Sequence, residues 1–319
     1  MSIFKPVTIP PLEIKNFLVE NGVNFKILEI EVGGEYTAED ATFNYADVPH
    51  HRHVHNIMSD KCLHVTEYGC SEIRVQSIGN LFKLPIICLG YKYDKNSFCT
   101  YFNYSGVHVI NEVLINESPP PIFTSVLSRY HVGLPVFLLW LRPLINAMLK
   151  KNHKILTKDD NAIRQRRGNL RKAGFNFISL RDSQSFGVDY LSTMDVSVNN
   201  VVFPLNSAIG HEEREWNVKT DKINHDFLLF GDDHLGFQLI REGGEILLFP
   251  RICPHEGACT DGVKISKSSQ AQSCPWHGRK IPPSIRYSVK SDEIIYAKNI
   301  NRAFQLEVRG DSLNIRLIG

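Results

Sequence analysis

Four residues near the C-terminal end of the chain are spaced for metal binding: Cys253-x-His255 and, after eighteen intervening residues, Cys274-x-x-His277. Thiolate and imidazole are the ligand types of structural zinc and of iron–sulfur centres. A zinc finger groups cysteine with cysteine and histidine with histidine. Here each loop offers one of each, which suits two metal atoms, one held by both thiolates and the other by both imidazoles. A tetrahedral zinc site is the alternative that the spacing leaves open. Gly257 and Gly278 follow the two pairs, let the loops turn tightly and leave backbone N–H groups to aim at sulfur.

A second cluster lies near the other end. "DVPHHRHVH", residues 47 to 55, places His50, His51, His53 and His55 just after Asp47 and Pro49. Such clusters arise as solvated surface, as tags or as metal ligands. On a regular helix His51 and His55 share a face, whereas His50 and His55 are about 140° apart. A π-type bulge would bring i and i+5 together. Asp47, ahead of Pro49, has the simpler reading of a helix N-cap.

These groups need elements to position them. With 319 residues, 43% apolar and 22% charged, the chain is long enough for two ordinary domains with their own cores. A net charge of +2 argues against nucleic acid and against a polybasic membrane patch. The first residues read as no signal peptide, so a cytoplasmic location is expected. The apolar run "VGLPVFLLWL" (132–141) is too short to span a bilayer and is expected as a buried helix or cavity wall. Seven cysteines make a disulfide framework unexpected. Cys62, Cys70, Cys88 and Cys99 read as small buried hydrophobes.

From about 24 to 116 short alternating runs predict strands, and "NESPPP" (116–121) interrupts them. The longest helical stretch follows, from about Ile145 to Arg171, with Gly174 as its stop. A curved antiparallel sheet over a long helix, with a cavity between, fits this order. After a polar seam, strands resume as a small all-β domain.

The segments "CPHEGA" and "CPWHG" resemble the Rieske family, whose 2Fe-2S centre is held by two cysteines and two histidines. "NYADVPHHRHVH" is similar to the mononuclear iron motif of the Rieske non-haem iron oxygenases, with Asn44, Asp47, His50 and His55 in the matching places. "TKDDNAIRQRRGNLRKAGF" resembles the segment that supplies their third ligand and puts Asp160 there, with Asp159 beside it. Asp159 and His51 are the alternate ligands. The resemblance implies an α+β fold: a helix-grip (START/SRPBCC-like) catalytic domain over 1–180, a linker over 181–215 and an all-β Rieske domain over 216–319. It implies Cys253, His255, Cys274 and His277 as cluster ligands, and His50, His55 and Asp160 as ligands of a mononuclear Fe(II). Asn44 would lie behind the iron ligands. Asp47 would bridge a histidine of the iron site and a histidine of the cluster, as an electron bridge.

The implied activity is oxygenation by dioxygen with electrons from an NAD(P)H-dependent reductase or ferredoxin. The product is a hydroxylated or oxidatively demethylated small molecule. The runs "VFLLWL" and "FCTYFNYSG" suggest an apolar cavity and an apolar substrate, aromatic or polycyclic. A cyclic homo-oligomer, a trimer, is implied as the assembly. Two rivals keep the cluster without the iron: an electron-transfer or redox-sensing protein fused to a lipid- or polyketide-binding module, and a polyketide-cyclase-like enzyme with a structural Rieske domain.

The chain departs from the family in several ways. The catalytic domain comes first rather than second, and His55 and Asp160 are closer in sequence than usual. The spacer of eighteen residues predicts a protruding loop around "KSSQAQ". The disulfide that ties the cluster loops in respiratory-chain relatives is missing: Cys259 faces Trp276 in the other loop and reads as a structural thiol.

Overall fold

A computed structural model describes residues 10–46, 50, 54–55, 61–68, 70–78, 84–120, 123–173, 175, 215–219, 228–230, 236–242, 244–253, 257–265, 270–278, 280–288, 294–299 and 302–317. Asp47, His51, His53, Gly174, His255 and all but the last residue of the proposed 181–215 linker lie outside these described residues. The chain divides into two compact units, one built on the chain up to Gly168 and the other on the chain from Tyr190.

The first unit opens with α1 (Pro11–Glu20), started by a proline whose fixed φ suits the first helical turn. Next come β1 (Asn24–Gly34), α2 (Ala38–Ala46), β2 (Lys61–Tyr68), β3 (Ser71–Ile78), β4 (Leu84–Asp94), β5 (Ser97–Tyr104), β6 (Val107–Glu117) and β7 (Thr124–Leu134). They form one antiparallel sheet in the order β1-β7-β6-β5-β4-β3-β2. The 31-residue α3 (Arg142–Lys172) closes the unit. This is the helix-grip arrangement, α+β in class. Alternation in β4 shows the sheet's two faces: Ile86, Cys88, Gly90 and Lys92 are buried, while Pro85, Ile87 and Tyr93 are exposed.

α2 begins with a capping box: Thr37 Oγ1 accepts the Asp40 N–H at 3.2 Å, and Asp40 Oδ2 accepts the Thr37 N–H at 3.4 Å. The N-terminal end of α3 is tied to the sheet by Arg142, which donates to Val132 O and Asn24 O, both at 2.9 Å. The face of α3 turned to the sheet runs His153, Asp160, Ile163, Arg164, Arg167, steps of seven, three, one and three that keep one side of a helix. That face is largely charged. Arg164 and Arg167 are each 1% exposed. Arg167 lies over the Phe43 ring and 3.6 Å from the buried Asp40 carboxylate, which holds α2 on α3.

The apolar run 132–141 does not form a buried helix or a cavity wall. Its start is the end of β7, and Val136–Leu141 is a 3-10 helix of two turns after Pro135. Leu138 and Leu139 pack partly against Val109, Tyr130 and Val132, whereas Val136, Phe137 and Trp140 are over 70% exposed. A ten-residue window cannot tell a strand end plus a turn from a helix, because the proline that separates them sits inside it. Strands β2 and β7 and helices α1 and α2 carry too little period of their own to be read in advance. Cys88 and Cys99 are buried and Cys70 is half-buried; the Cys62 side chain lies outside the description. None of the described cysteines is in a disulfide.

The second unit begins with β8 (Glu215–Lys219), β9 (Leu228–Phe230), β10 (Phe237–Glu242), β11 (Glu245–Pro250), β12 (Gln272–Ser273) and β13 (Lys280–Ile281). It ends with β14 (Ile285–Ser288), β15 (Ile294–Asn299), β16 (Arg302–Arg309) and β17 (Ser312–Leu317). Two four-stranded sheets, β14-β11-β10-β9 and β15-β16-β17-β8, share a core of Phe237, Leu239, Leu248, Phe304, Leu306 and Ile315. β12 and β13 make a separate hairpin. The expected protrusion around "KSSQAQ" does not extend to its second half. Ala271 and Gln272 are buried, because Gln272 donates to Val263 O at 2.9 Å and its amide oxygen accepts from Gln238.

Candidate metal centre

α2 presents Asn44 and Tyr45 to α3, and the chain then delivers His50 and His55. Both histidines are buried, at 1% and 4% exposure. Val54 donates its N–H to His50 O at 2.9 Å, closing one turn, and the chain leaves helical geometry before His55. Among the described residues, Val54 and His55 lie outside any helix, so the angle between i and i+5 on a regular helix does not set the approach of the two rings. From α3, Asp160 Oδ1 lies 3.4 Å from His50 Nε2 and 3.3 Å from His55 Nε2. The three ligand atoms are all within 4.8 Å of one another. The two rings meet edge to face, with centroids 5.2 Å apart.

The other atoms of these groups have their own contacts. His55 Nδ1 is 3.5 Å from Asp159 Oδ2, so the alternate carboxylate faces the far side of the imidazole. Asp160 Oδ2 lies 3.5 Å from Arg164 Nη2. Asn44 Nδ2 donates to Asp160 Oδ1 at 3.3 Å, and Asn44 Oδ1 accepts from Arg164 Nε at 2.9 Å and Nη2 at 2.7 Å. Arg164 is held in turn between the rings of Tyr36 and Tyr45, at 5.7 and 4.8 Å.

Burial alone would raise the Asp160 carboxyl, but His50, His55 and Arg164 hold it well below the usual carboxylate range. Burial pulls the His55 imidazole down, yet Asp160 and then Asp159 outweigh it, and the net shift is upward. Burial raises the Tyr45 hydroxyl, with Arg164 opposing. The site is thus a carboxylate held in its charged form that faces two buried imidazoles. Two imidazole nitrogens and one carboxylate oxygen are the donor set of non-haem Fe(II) sites; Asp159 stands behind His55, and Asn44 and Arg164 behind Asp160, and the residues fit such an ion.

In the second unit, Cys253 and Cys274 are buried together with Ala258 and Ile281, and Trp276 packs on them. The loops turn at Gly257 (φ 76°) and Gly278 (φ 67°). Gly257 N–H donates to Cys253 O and Gly278 N–H to Cys274 O, at 2.9 and 2.7 Å. The neighbouring Cys253 thiol and burial push the Cys274 thiol up, while backbone N–H groups of Trp276 and His277 pull it down. His277 Nδ1 is 3.8 Å from Cys274 Sγ. Beneath the loops, buried Gln238 donates to Thr260 O and Gln272 Oε1, at 2.8 and 3.1 Å, and Arg251 pairs with Asp261 at 2.6 Å. Cys259 is half-buried and bridges Ile252 through the backbone.

A cavity of about 110 Å³ adjoins the His50–His55–Asp160 group, between α3 and the sheet. Phe98, Val113 and Leu156 give it apolar wall, but Glu72, Arg74, Asn111 and His153 line it as well. The apolar lining expected from two sequence runs is therefore only partly present: "FCTYFNYSG" contributes Phe98 and Thr100, and "VFLLWL" contributes nothing. Glu72, Asn111, His153 and Arg164 escaped sequence reading. For the two α3 residues a signal existed, since His153, Asp160, Arg164 and Arg167 repeat at helical spacing.

No protein-family model matches the chain, and no curated protein matches its sequence. Among solved structures it is similar to the di-domain ARO/CYC BexL from the BE-7585A biosynthetic pathway, at 10% identity and TM-score 0.37 over 47% of this chain and 53% of that one. Truncated norcoclaurine synthase from Thalictrum flavum matches at 10% identity and TM-score 0.34 over 44% of this chain and 93% of that one. Dicamba monooxygenase bound to 3,6 dichlorosalicylic acid matches at 12% identity and TM-score 0.34, over 50% and 56%. The chain thus spans about half the length of BexL, and similarity at this level assigns no activity. Among the described residues no helix is long and apolar enough to cross a membrane.

Proposed function

We propose that the chain is a Rieske-type non-haem iron oxygenase with its two domains in inverted order. The observation that carries this reading is the convergence of His50 Nε2, His55 Nε2 and Asp160 Oδ1 within 4.8 Å beside a cavity. His50, His55 and Asp160 would hold Fe(II), which supplies open positions for activating dioxygen next to a substrate. Cys253 and Cys274 would hold one iron of a 2Fe-2S cluster and His255 and His277 the other, a centre that supplies one-electron relay from an NAD(P)H-dependent reductase or ferredoxin. Asp159 fixes the His55 ring from its far nitrogen, and Asn44 with Arg164 fixes the Asp160 carboxylate. The walls of the cavity hold substrate and keep water from the reacting atoms. Asp47 is proposed as the bridge between a histidine of each site. A head-to-tail cyclic trimer is proposed as the assembly, and a fully active monomer in sedimentation would rule it out.

Anaerobic reconstitution with iron and sulfide tests the reading. The chain should take up about three irons and show the visible absorbance and reduced-state EPR signal of a 2Fe-2S centre. Asp160→Ala should lose about one iron of the three and keep the cluster spectrum. One tightly held zinc without labile sulfide would overturn the cluster. Two irons in both proteins would instead favour the electron-transfer or sensing protein with a ligand-binding module.

A further inference from the structure

One cross-strand row runs over the face of the sheet that shares a cavity with α3. Glu72 of β3 pairs with Gly90 of β4, Gly90 with Thr100 of β5, Thr100 with Asn111 of β6, and Asn111 with Tyr130 of β7. Directly opposed residues put their side chains on the same face, so the whole row points the same way. Gly90 is what admits Glu72: a β-carbon there would fall on the Glu72 carboxylate. Above the row, Tyr130 OH bonds His153 Nδ1 of α3 at 2.9 Å.

Glu72 Oε2, Asn111 Oδ1 and His153 Nε2 are buried and have no hydrogen-bond partner among the described residues. All three residues line the 110 Å³ cavity beside the metal ligands. A lost hydrogen bond at a buried polar atom is costly, so three around one cavity point to a ligand that completes them. The formal charges around the cavity are already matched: Arg74 Nε lies 2.8 Å from Glu72 Oε1, and Arg164 faces Asp160. A cationic or anionic head would add an uncompensated charge. A hydroxyl both donates and accepts, and so suits a carboxyl oxygen, an amide oxygen and either tautomer of a histidine. An engineered cavity of about 150 Å³ holds benzene, so this one of about 110 Å³ takes roughly four or five heavy atoms.

We propose that Glu72, Asn111 and His153 form a recognition pocket for the neutral, hydroxyl-bearing head of the substrate, setting which end of the molecule lies against the metal ligands. This refines the apolar substrate expected from sequence: the apolar part lies along Phe98, Val113 and Leu156, and the hydroxyls face the row. It rests on the oxygenase reading only for the identity of the pocket's neighbour.

Ligand-observed NMR on the full-length metal-free chain tests it with three small probes: propylene glycol, propylammonium and benzene. Propylene glycol should bind saturably, and the other two about tenfold more weakly or worse. Asn111→Leu and His153→Phe, each checked for an unchanged fold by circular dichroism, should each weaken propylene glycol by about tenfold, and Asn111→Leu should improve benzene. Preference of the wild-type chain for benzene or propylammonium would overturn the proposal, as would propylene glycol binding that neither variant changes. Loading Co(II) separates the two readings. Uptake that needs Asp160, with faster relaxation of propylene glycol protons, supports both. Failure to take up Co(II) sinks the metal reading alone, and Co(II) uptake without probe binding sinks the pocket alone.

Discussion

Arg164→Met removes the cation that faces Asp160 while keeping much of the buried side-chain volume. Arg164 is 1% exposed, lies 3.5 Å from Asp160 Oδ2 and donates twice to Asn44 Oδ1. At 3.5 Å the attraction is about 5 kcal/mol with an effective dielectric constant of about 20, before desolvation is counted. Removing one partner of a buried pair typically costs about 3–5 kcal/mol, because the other charge stays behind unpaired. We therefore expect Arg164→Met to cost about 4 kcal/mol in the metal-free chain, a drop of roughly 8–16 °C in the transition of the first unit. In an Asp160→Asn background no anion is stranded, and the same substitution should cost about 2 kcal/mol less. The assay is thermal and urea unfolding of the four proteins of the cycle, followed by circular dichroism with chelator present. If Arg164→Met costs as much in the Asp160→Asn background as in the wild-type chain, the residue serves only packing between Tyr36 and Tyr45, and the electrostatic reasoning fails.

Four further outcomes are expected. His50→Ala should abolish Co(II) uptake at the first unit and His51→Ala should leave it, as isothermal titration will show; the reverse result reassigns the ligand. Asp159→Asn should weaken that uptake by about 10–100-fold without loss of fold, since it removes the carboxylate behind His55; an unchanged affinity would make Asp159 a solvated helix residue. Cys274→Ser or His277→Ala should remove the visible absorbance of the reconstituted chain while iron at the first unit stays, measured by metal analysis and absorption spectra. Gly90→Ala should cost about 1–3 kcal/mol and displace Glu72, weakening propylene glycol binding; a neutral effect on both would show that Glu72 does not depend on the space over Gly90.

The candidate ligand residues were legible because metal-binding side chains recur at short, local spacings. Asn44, His50, His55, Cys253, Cys274 and His277 could all be named from the string, and so could the long helix and most of the strands. Alternation along "PIICLGYKY" and helical spacing from Ile145 onward are properties of neighbours in sequence, and they hold in β4 and α3. What the string did not contain was the content of the faces. The buried side of α3 is charged because α2 and the site supply partners for Asp160, Arg164 and Arg167, and a charge is buried only where another part of the chain offsets its desolvation. "VFLLWL" is apolar yet half outside, since a proline and a short 3-10 helix leave Val136, Phe137 and Trp140 exposed. The row from Glu72 through Gly90, Thr100 and Asn111 to Tyr130 joins residues 58 positions apart by strand register alone. A one-residue slip in any pairing would turn part of it to the other face, so the pocket exists only once the whole sheet has closed.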